Sequence, residues 1–516
     1  MLSRWVWFAL WSLGAIPAFI NHNLRDKAFV HCVRVSNARL LLIDHEIDDI
    51  LTEDVVAGLG EESMGRPLQT VFVTPELESA ILSCEPYRAP DADRAGVKTT
   101  ELCMLIYTSG TTGLPKAANV NWGKPASGPG VWAKLMSLKR EDRYFSALPL
   151  YHSSGSFLAV MPVLGAGCTL VLSPKFSARQ YMRQVSETGA TGMHYIGEMC
   201  RYLVSSPPSP YDRAHKLKFA FGNGMRMDVW QRMKDRFNIA AIIEFYGATE
   251  GPGAMYIHSA NDFTRGAVGH SGLITRTFFG NNLLVKHDPL TDEPYRDPKT
   301  GLCSKCATGE TGELLHPLDA QAVEEKFLGY LGNEKASQSK VLRNVLKKGD
   351  AYYRTGDLQR VDADGRWWFM DRIGDTFRWK SENVSTAEVS EAIGDHPAVT
   401  EANCYGVQLP NHDGRAGCAA LVLRDGQRLD ALLCRELAAH ARKRLPKYAV
   451  PIFLRVMRHV EVTGTHKHQK VALRNAGVDP ARTGADEVFW LRPGAEGYER
   501  FGEGEWKRIV SGEAKL

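Results

Sequence analysis

Long apolar runs are scarce in this chain. Crossing a bilayer takes about 20 apolar residues, and only Trp5–Ile20 comes near that, interrupted by Gly14 and Pro17. It follows Arg4 as a signal anchor would, yet shows no clear small-residue cleavage site. The pattern predicts a buried helix running into a strand. An excess of one charge is lacking too. A net charge of +4 over 516 residues gives no reason to expect nucleic acid or an acidic membrane surface as partner. The ten cysteines show no framework spacing, which suits a reducing compartment. Cys303 and Cys306 are a lone C-x-x-C without a His pattern, which reads as an ordinary surface loop rather than a zinc or redox site. Neither the G-x-x-x-x-G-K-[ST] spacing nor a G-x-G-x-x-G after a strand occurs, which argues against a Walker ATPase and a dehydrogenase. There is no internal repeat and no long low-complexity segment.

What is present is an ordinary globular composition, 44% hydrophobic and 24% charged, in a chain too long for one core. Apolar runs at Leu40–Ile43, Thr70–Val73, Leu102–Tyr107 and Thr169–Leu172 read as buried strands. Helical patterns at Ala178–Thr188 and Met227–Phe237 alternate with them. This predicts an α/β fold with largely parallel sheets. From about Arg372 the texture changes: a helix at Ala387–Ile393, strands near Val399–Val407 and Ala419–Leu423, and a helix at Leu429–Arg444 predict a small α+β domain. The expected division is a large domain over 1–372 and a small one over 373–516, with Gly374 free to act as a hinge.

The densest motif is Tyr107-Thr-Ser-Gly-Thr-Thr-Gly-Leu-Pro-Lys116, which follows an apolar strand. Gly110 and Gly113 let successive amides turn inward into an anion nest. Thr108, Ser109, Thr111 and Thr112 add hydroxyls, and Lys116 adds a charge, so the loop can wrap a polyphosphate. The segment resembles the phosphate loop of the adenylate-forming superfamily, which holds acyl-CoA synthetases, luciferases and peptide-synthetase adenylation domains.

Further motifs of that superfamily follow in order. Tyr246-Gly-Ala-Thr-Glu250 is similar to the segment whose Thr contacts the α-phosphate, here Thr249, and whose Glu holds Mg²⁺, here Glu250. One carboxylate plus substrate phosphates is the usual magnesium arrangement. Tyr353-Arg-Thr-Gly-Asp357 resembles the ribose-binding segment, and a carboxylate at Asp357 offers lone pairs to both hydroxyls. Asp371-Arg-Ile-Gly-Asp375 and Thr376–Asn383 resemble the domain junction, which places Arg372 and Arg378 among the nucleotide contacts. Thr463-Gly-Thr-His-Lys467 resembles the final motif, whose Lys bridges carboxylate, ribose and α-phosphate. The resemblance puts that role on Lys467, with Lys470 as its nearest rival.

Within the superfamily, Ala18-Phe-Ile-Asn-His-Asn-Leu24, Leu148-Pro-Leu-Tyr-His-Ser-Ser-Gly155 and Phe221-Gly-Asn-Gly-Met-Arg226 look like the fatty-acid-transport-protein and very-long-chain acyl-CoA synthetase branch. Gly222, Asn223 and Gly224 would line the adenine face. His152 would gate the pocket or orient the carboxylate, with a buried structural histidine as the competing reading. The resemblance implies that part of the first subdomain precedes Met1 and is missing. It also puts Ser381 where the superfamily has glycine.

The implied reaction uses ATP, Mg²⁺ and coenzyme A. A carboxylate attacks the α-phosphorus, an acyl-adenylate forms, the small domain rotates, and CoA thiolate takes the acyl group. A long-chain fatty acid is the expected substrate and a specialised carboxylic acid the alternative. A fatty-acid uptake protein and an inactive truncated relative are rival readings. The C-terminal Ala514-Lys515-Leu516 is close to the Ser-Lys-Leu address, so a peroxisomal import receptor is an expected partner, with cytoplasm or membrane periphery as alternatives.

Overall fold

The computed structural model describes residues 2–60, 64–65, 67–108, 114–272, 282–288, 291–380, 382–412, 414–460, 470–514 and 516. The apolar N-terminal stretch forms the helix Leu2–Ser12, followed by the strand Ala18–Phe19, which pairs parallel with Leu102–Thr108. Trp7 is buried, and Trp11 donates its indole N–H to the Cys103 carbonyl at 2.9 Å. These rings dock the helix on the sheet. Among the described residues no helix is long and apolar enough to cross a membrane.

Six strands form the central sheet, in the order Ala254–Ser259, Ala241–Gly247, Phe219–Asn223, Gly192–Ile196, Arg143–Ser146 and Thr169–Leu172. Its first pair is antiparallel and the rest are parallel. Gly192–Ile196 is buried along its whole length, as a strand covered on both faces must be. Helix Met227–Phe237 supplies part of that cover. Val229, Trp230, Met233 and Phe237 recur at helical spacing and are all buried. Asn238, in the left-handed region, ends the helix.

Several expectations need correction. Leu40–Asp44 and Gln69–Val73 make a separate two-stranded parallel sheet covered on one face, so Leu40, Leu42 and Phe72 are exposed rather than buried. Thr169–Leu172 is an edge strand and only partly buried. The sheets are also less parallel than expected. Gly269–His270, Arg366–Arg372, Ala351–Val361, Thr311–Leu318 and Leu283–Val285 form an antiparallel sheet. A tight turn, not a crossover helix, joins Val361 to Arg366. Cys303 and Cys306 lie at the margin of this sheet, not in a surface loop. Cys303 is buried, and the Cys306 N–H donates to the Leu284 carbonyl at 3.0 Å.

Beyond the junction, residues from Phe377 to Ala514 share one core. It surrounds a five-stranded sheet that includes Val399–Gln408, Arg415–Leu423 and Phe453–Val456. Helices Thr386–Gly394 and Ala431–Arg444 pack on it. The second helix starts later than the sequence pattern suggests, because Asp430 caps it by accepting from the Leu432 and Leu433 N–H groups. Ala514 is buried in this core and Leu516 packs against it.

Candidate active site

The phosphate-loop residues Ser109, Gly110, Thr111, Thr112 and Gly113 lie outside the described residues, but both ends of the loop are fixed. Thr108 and Lys116 face each other in the antiparallel pair Leu102–Thr108 and Lys116–Asn121. Helix Asp26–Ser36 clamps the loop on both sides. Tyr107 Oη donates to the Cys32 carbonyl at 2.6 Å, and His31 Nε2 lies 3.0 Å from the Pro115 carbonyl.

The adenine segment sits at the end of Phe219–Asn223. Gly222 is buried, and a Cβ there would fall 2.2 Å from the Tyr195 carbonyl. Its missing side chain therefore serves the packing of this strand on its neighbour. Gly224 is different: its φ is +77° and a Cβ would meet nothing within 4 Å. Beneath this turn lies Glu244, which is buried. It accepts from the Met225 N–H at 3.0 Å and from the Tyr195 hydroxyl. Burial pushes its carboxyl up to about 8, against the opposing pull of those hydrogen bonds.

The strand Ala241–Gly247 continues to Tyr246, whose hydroxyl donates to Asp357 Oδ2 at 2.6 Å. Asp357 is paired in register with Arg372, and Arg372 Nε stands 3.7 Å from Asp357 Oδ1. Tyr246 thus meets Asp357 and Arg372, more than a hundred positions further along the chain, at one point. Burial, then the neighbouring Asp357 carboxylate, keep the Tyr246 hydroxyl protonated.

Past the same strand, Thr249 and Glu250 are held from three directions. Ser153 Oγ and Thr249 Oγ1 share a hydrogen bond of 2.8 Å. Lys124 Nζ donates to the Thr249 carbonyl. Tyr330 Oη donates to Glu250 Oε1 at 2.6 Å, and the Lys116 ammonium lies 5.6 Å over the Tyr330 ring. Burial pushes the Lys124 ammonium down to about 8, opposed by Glu250 and Cys103. His152 caps the short helix Ser153–Gly155 by accepting the Ser154 N–H at Nδ1, 3.2 Å away. That gives it a structural use beside the site.

Among the described residues no group of three or more His, Cys, Asp and Glu side chains could hold a metal ion. Glu250 fits Mg²⁺ in another way. Tyr330 engages one of its oxygens, and a hard cation bound through phosphates takes one or two carboxylates.

At the junction Gly374 has φ +83°, a conformation suited to glycine. Arg378 belongs to the small-domain hairpin of Phe377–Trp379 and Glu382–Val384. Lys467 and Ser381 lie outside the described residues. Lys470 is committed elsewhere: its Nζ donates to Thr386 Oγ1 at 2.6 Å and stands 3.4 Å from Asp375 Oδ2.

The sequence reading missed Lys124, Ser153, Glu244 and Tyr330. Glu244 carried a faint signal, since a carboxylate inside the apolar run Ala241–Phe245 needs a partner when buried.

The description "AMP-binding enzyme" fits residues 5–315, and "AMP-binding enzyme C-terminal domain" fits residues 388–467. The chain belongs to the AMP-binding enzyme family. Among curated members of this family, the very long-chain fatty acid transport protein of Cochliobolus heterostrophus is 40% identical over 513 residues, covering 99% of this chain and 78% of that one. The isopenicillin N epimerase component 1 of Hapsidospora chrysogena is also 40% identical, over 523 residues, covering 99% and 79%. Among solved structures, an anthranilate CoA ligase in complex with anthranoyl-AMP superposes with a TM-score of 0.73 at 21% identity, covering 92% of this chain and 85% of that one. That likeness shows the shared AMP-binding fold.

Proposed function

We propose that this AMP-binding enzyme is an ATP-dependent acyl-CoA synthetase that joins a long- or very-long-chain fatty acid to coenzyme A through an acyl-adenylate. The observation that carries the reading is the convergence of Tyr246, Asp357 and Arg372 beside the braced pair Thr249–Glu250. It occurs in a chain 40% identical to a very long-chain fatty acid transport protein.

In the first step the substrate carboxylate attacks the α-phosphorus of ATP and pyrophosphate leaves. Asp357 takes the ribose hydroxyls, Gly222–Gly224 border the adenine, and Arg372 contacts the nucleotide. Ser109–Gly113 with Thr108 and Lys116 hold the outer phosphates, and Thr249 and Lys467 serve the α-phosphate. Such catalysis is mostly positioning and charge neutralisation. Glu250 would hold Mg²⁺, which when bound neutralises phosphate charge. In the second step the domain 373–516 turns about Gly374 against 1–372, Arg378 and the 376–383 segment enter, and the CoA thiolate attacks the acyl carbonyl and displaces AMP. Closure also excludes water that would hydrolyse the adenylate.

The test is product analysis. Purified protein with Mg-ATP and an acid should release pyrophosphate and hold an acyl-adenylate, and AMP and a thioester should appear only when CoA is added. An acyl-adenylate that CoA does not consume would point to a carrier-dependent adenylating enzyme instead. A second acyl class is favoured by one observation, the equal identity to isopenicillin N epimerase component 1: a specialised carboxylic acid. Assaying both acid classes together separates the two. For location we propose the peroxisome, on the C-terminal Ala514-Lys515-Leu516. Because Ala514 is buried, the import receptor would have to lift this tail.

A further inference from the structure

We propose that Lys124 is a positioning residue for the adenylate-forming half-reaction, fixing the Thr249–Glu250 peptide where MgATP meets it. This rests on the function proposed above. Lys124 is the second residue of helix Gly123–Leu135, half-buried, and its ammonium donates to the Thr249 carbonyl. For stability alone the position is poor. An ammonium in a first helical turn meets the positive end of the helix dipole, and this helix has no side-chain cap to offset it. Withdrawing a cation from water adds a further cost. Alanine or an uncharged residue would suit the helix better.

What the ammonium gains is a hold on one peptide unit. Because that unit is planar, fixing the Thr249 carbonyl also fixes where the Glu250 N–H and Cα lie, the point from which its side chain departs. Ser153 holds the Thr249 hydroxyl at 2.8 Å and Tyr330 holds Glu250 Oε1 at 2.6 Å. Of these three braces Lys124 alone is charged. It places a positive charge behind a carboxylate that must face a polyphosphate, reducing their repulsion and leaving the second carboxylate oxygen for the metal.

The experiment compares wild type, Lys124→Met, Lys124→Gln and Lys124→Arg. ATP binding is measured by calorimetry across a Mg²⁺ titration. The two half-reactions are followed separately, as acid-dependent pyrophosphate–ATP exchange and as transfer of preformed acyl-adenylate to CoA. Lys124→Met is expected to raise the half-saturating Mg²⁺ about tenfold and slow the exchange about 100-fold, the scale of a lost charge-assisted bond. Transfer to CoA should stay within about twofold, and Lys124→Arg should recover most of the exchange. Should Lys124→Met not fold, Lys124→Gln keeps a donor to the Thr249 carbonyl, removes the charge, and should show the same Mg²⁺ shift. An unchanged Mg²⁺ response in the folded uncharged variants, or equal loss of both half-reactions together with a lowered melting temperature, would overturn the proposal and leave a helix anchor. If wild type bound MgATP but formed no adenylate with any acid, the proposed function would fall while the Mg²⁺ shift still decided the role of Lys124.

Discussion

Arg372 stands opposite Asp357 on the neighbouring antiparallel strand, its Nε 3.7 Å from Asp357 Oδ1. Tyr246 grips the other oxygen of the same carboxylate from a different sheet. The carboxylate is thus oriented before any ribose arrives. A hydrogen bond to a charged group contributes about 1.5–3 kcal/mol to the folded state, so Tyr246→Phe is expected to lower the melting temperature and, with the carboxylate no longer oriented, to raise KM for ATP by about tenfold. Asp357→Ala should cost more, because it also removes the ribose acceptor. Steady-state kinetics at varied ATP checks both.

The two candidate lysines separate by half-reaction. Lys467→Ala should abolish acid-dependent pyrophosphate exchange yet still pass a preformed acyl-adenylate to CoA. Lys470 is tied to Thr386 and Asp375 at the base of the small domain. Lys470→Ala should therefore disturb the junction and affect both half-reactions. Loss of only the second step in Lys467→Ala would contradict its assignment.

Glu244 makes stability depend on pH. Its folded value, about 8, lies above the ordinary 4.5. Between these values the folded state keeps a proton that the unfolded state has lost. Stability therefore falls as pH rises from 4.5 to 8 and levels off above. The slope at its steepest is about 1.4 kcal/mol per pH unit. Glu244→Gln keeps an acceptor beneath Met225 but cannot ionise. Its melting temperature should lose this fall and exceed that of wild type at the alkaline end. Parallel curves for the two proteins would show that Glu244 does not titrate this way.

The C-terminal tail offers a cellular test. A fluorescent reporter fused to the N-terminus should enter peroxisomes, and removal of Ala514–Leu516 should leave it outside. Equal distribution of both fusions would remove the peroxisomal proposal.

The site was legible in the sequence where chemistry is written in contiguous residues. Tyr246, Thr249 and Glu250 share one short segment, and Asp357 and Arg372 each sit in a recognisable short motif, so their order along the chain revealed them. Lys124 and Tyr330 were not legible. Each is a single residue whose meaning depends on meeting Thr249 or Glu250 across more than seventy positions of chain, and an isolated lysine or tyrosine carries no such information. Helix Met227–Phe237 was readable because one apolar face is repeated at helical spacing. Leu40–Asp44 misled because an apolar run does not say how many faces of its sheet are covered. The antiparallel sheet around Ala351–Val361 was missed for a related reason: turns such as residues 362–365 are short, and the sequence reading gave more weight to the helices between strands.

Under the proposed function this chain makes a thioester from an acid, ATP and CoA. The most direct measurement is mass spectrometry of the products formed by purified protein from Mg-ATP and mixed carboxylic acids of several chain lengths, with and without CoA. The prediction is acyl-CoA appearing only when ATP and CoA are both present, with AMP released alongside. Neither AMP nor thioester with any acid, from protein that still binds MgATP, would contradict it.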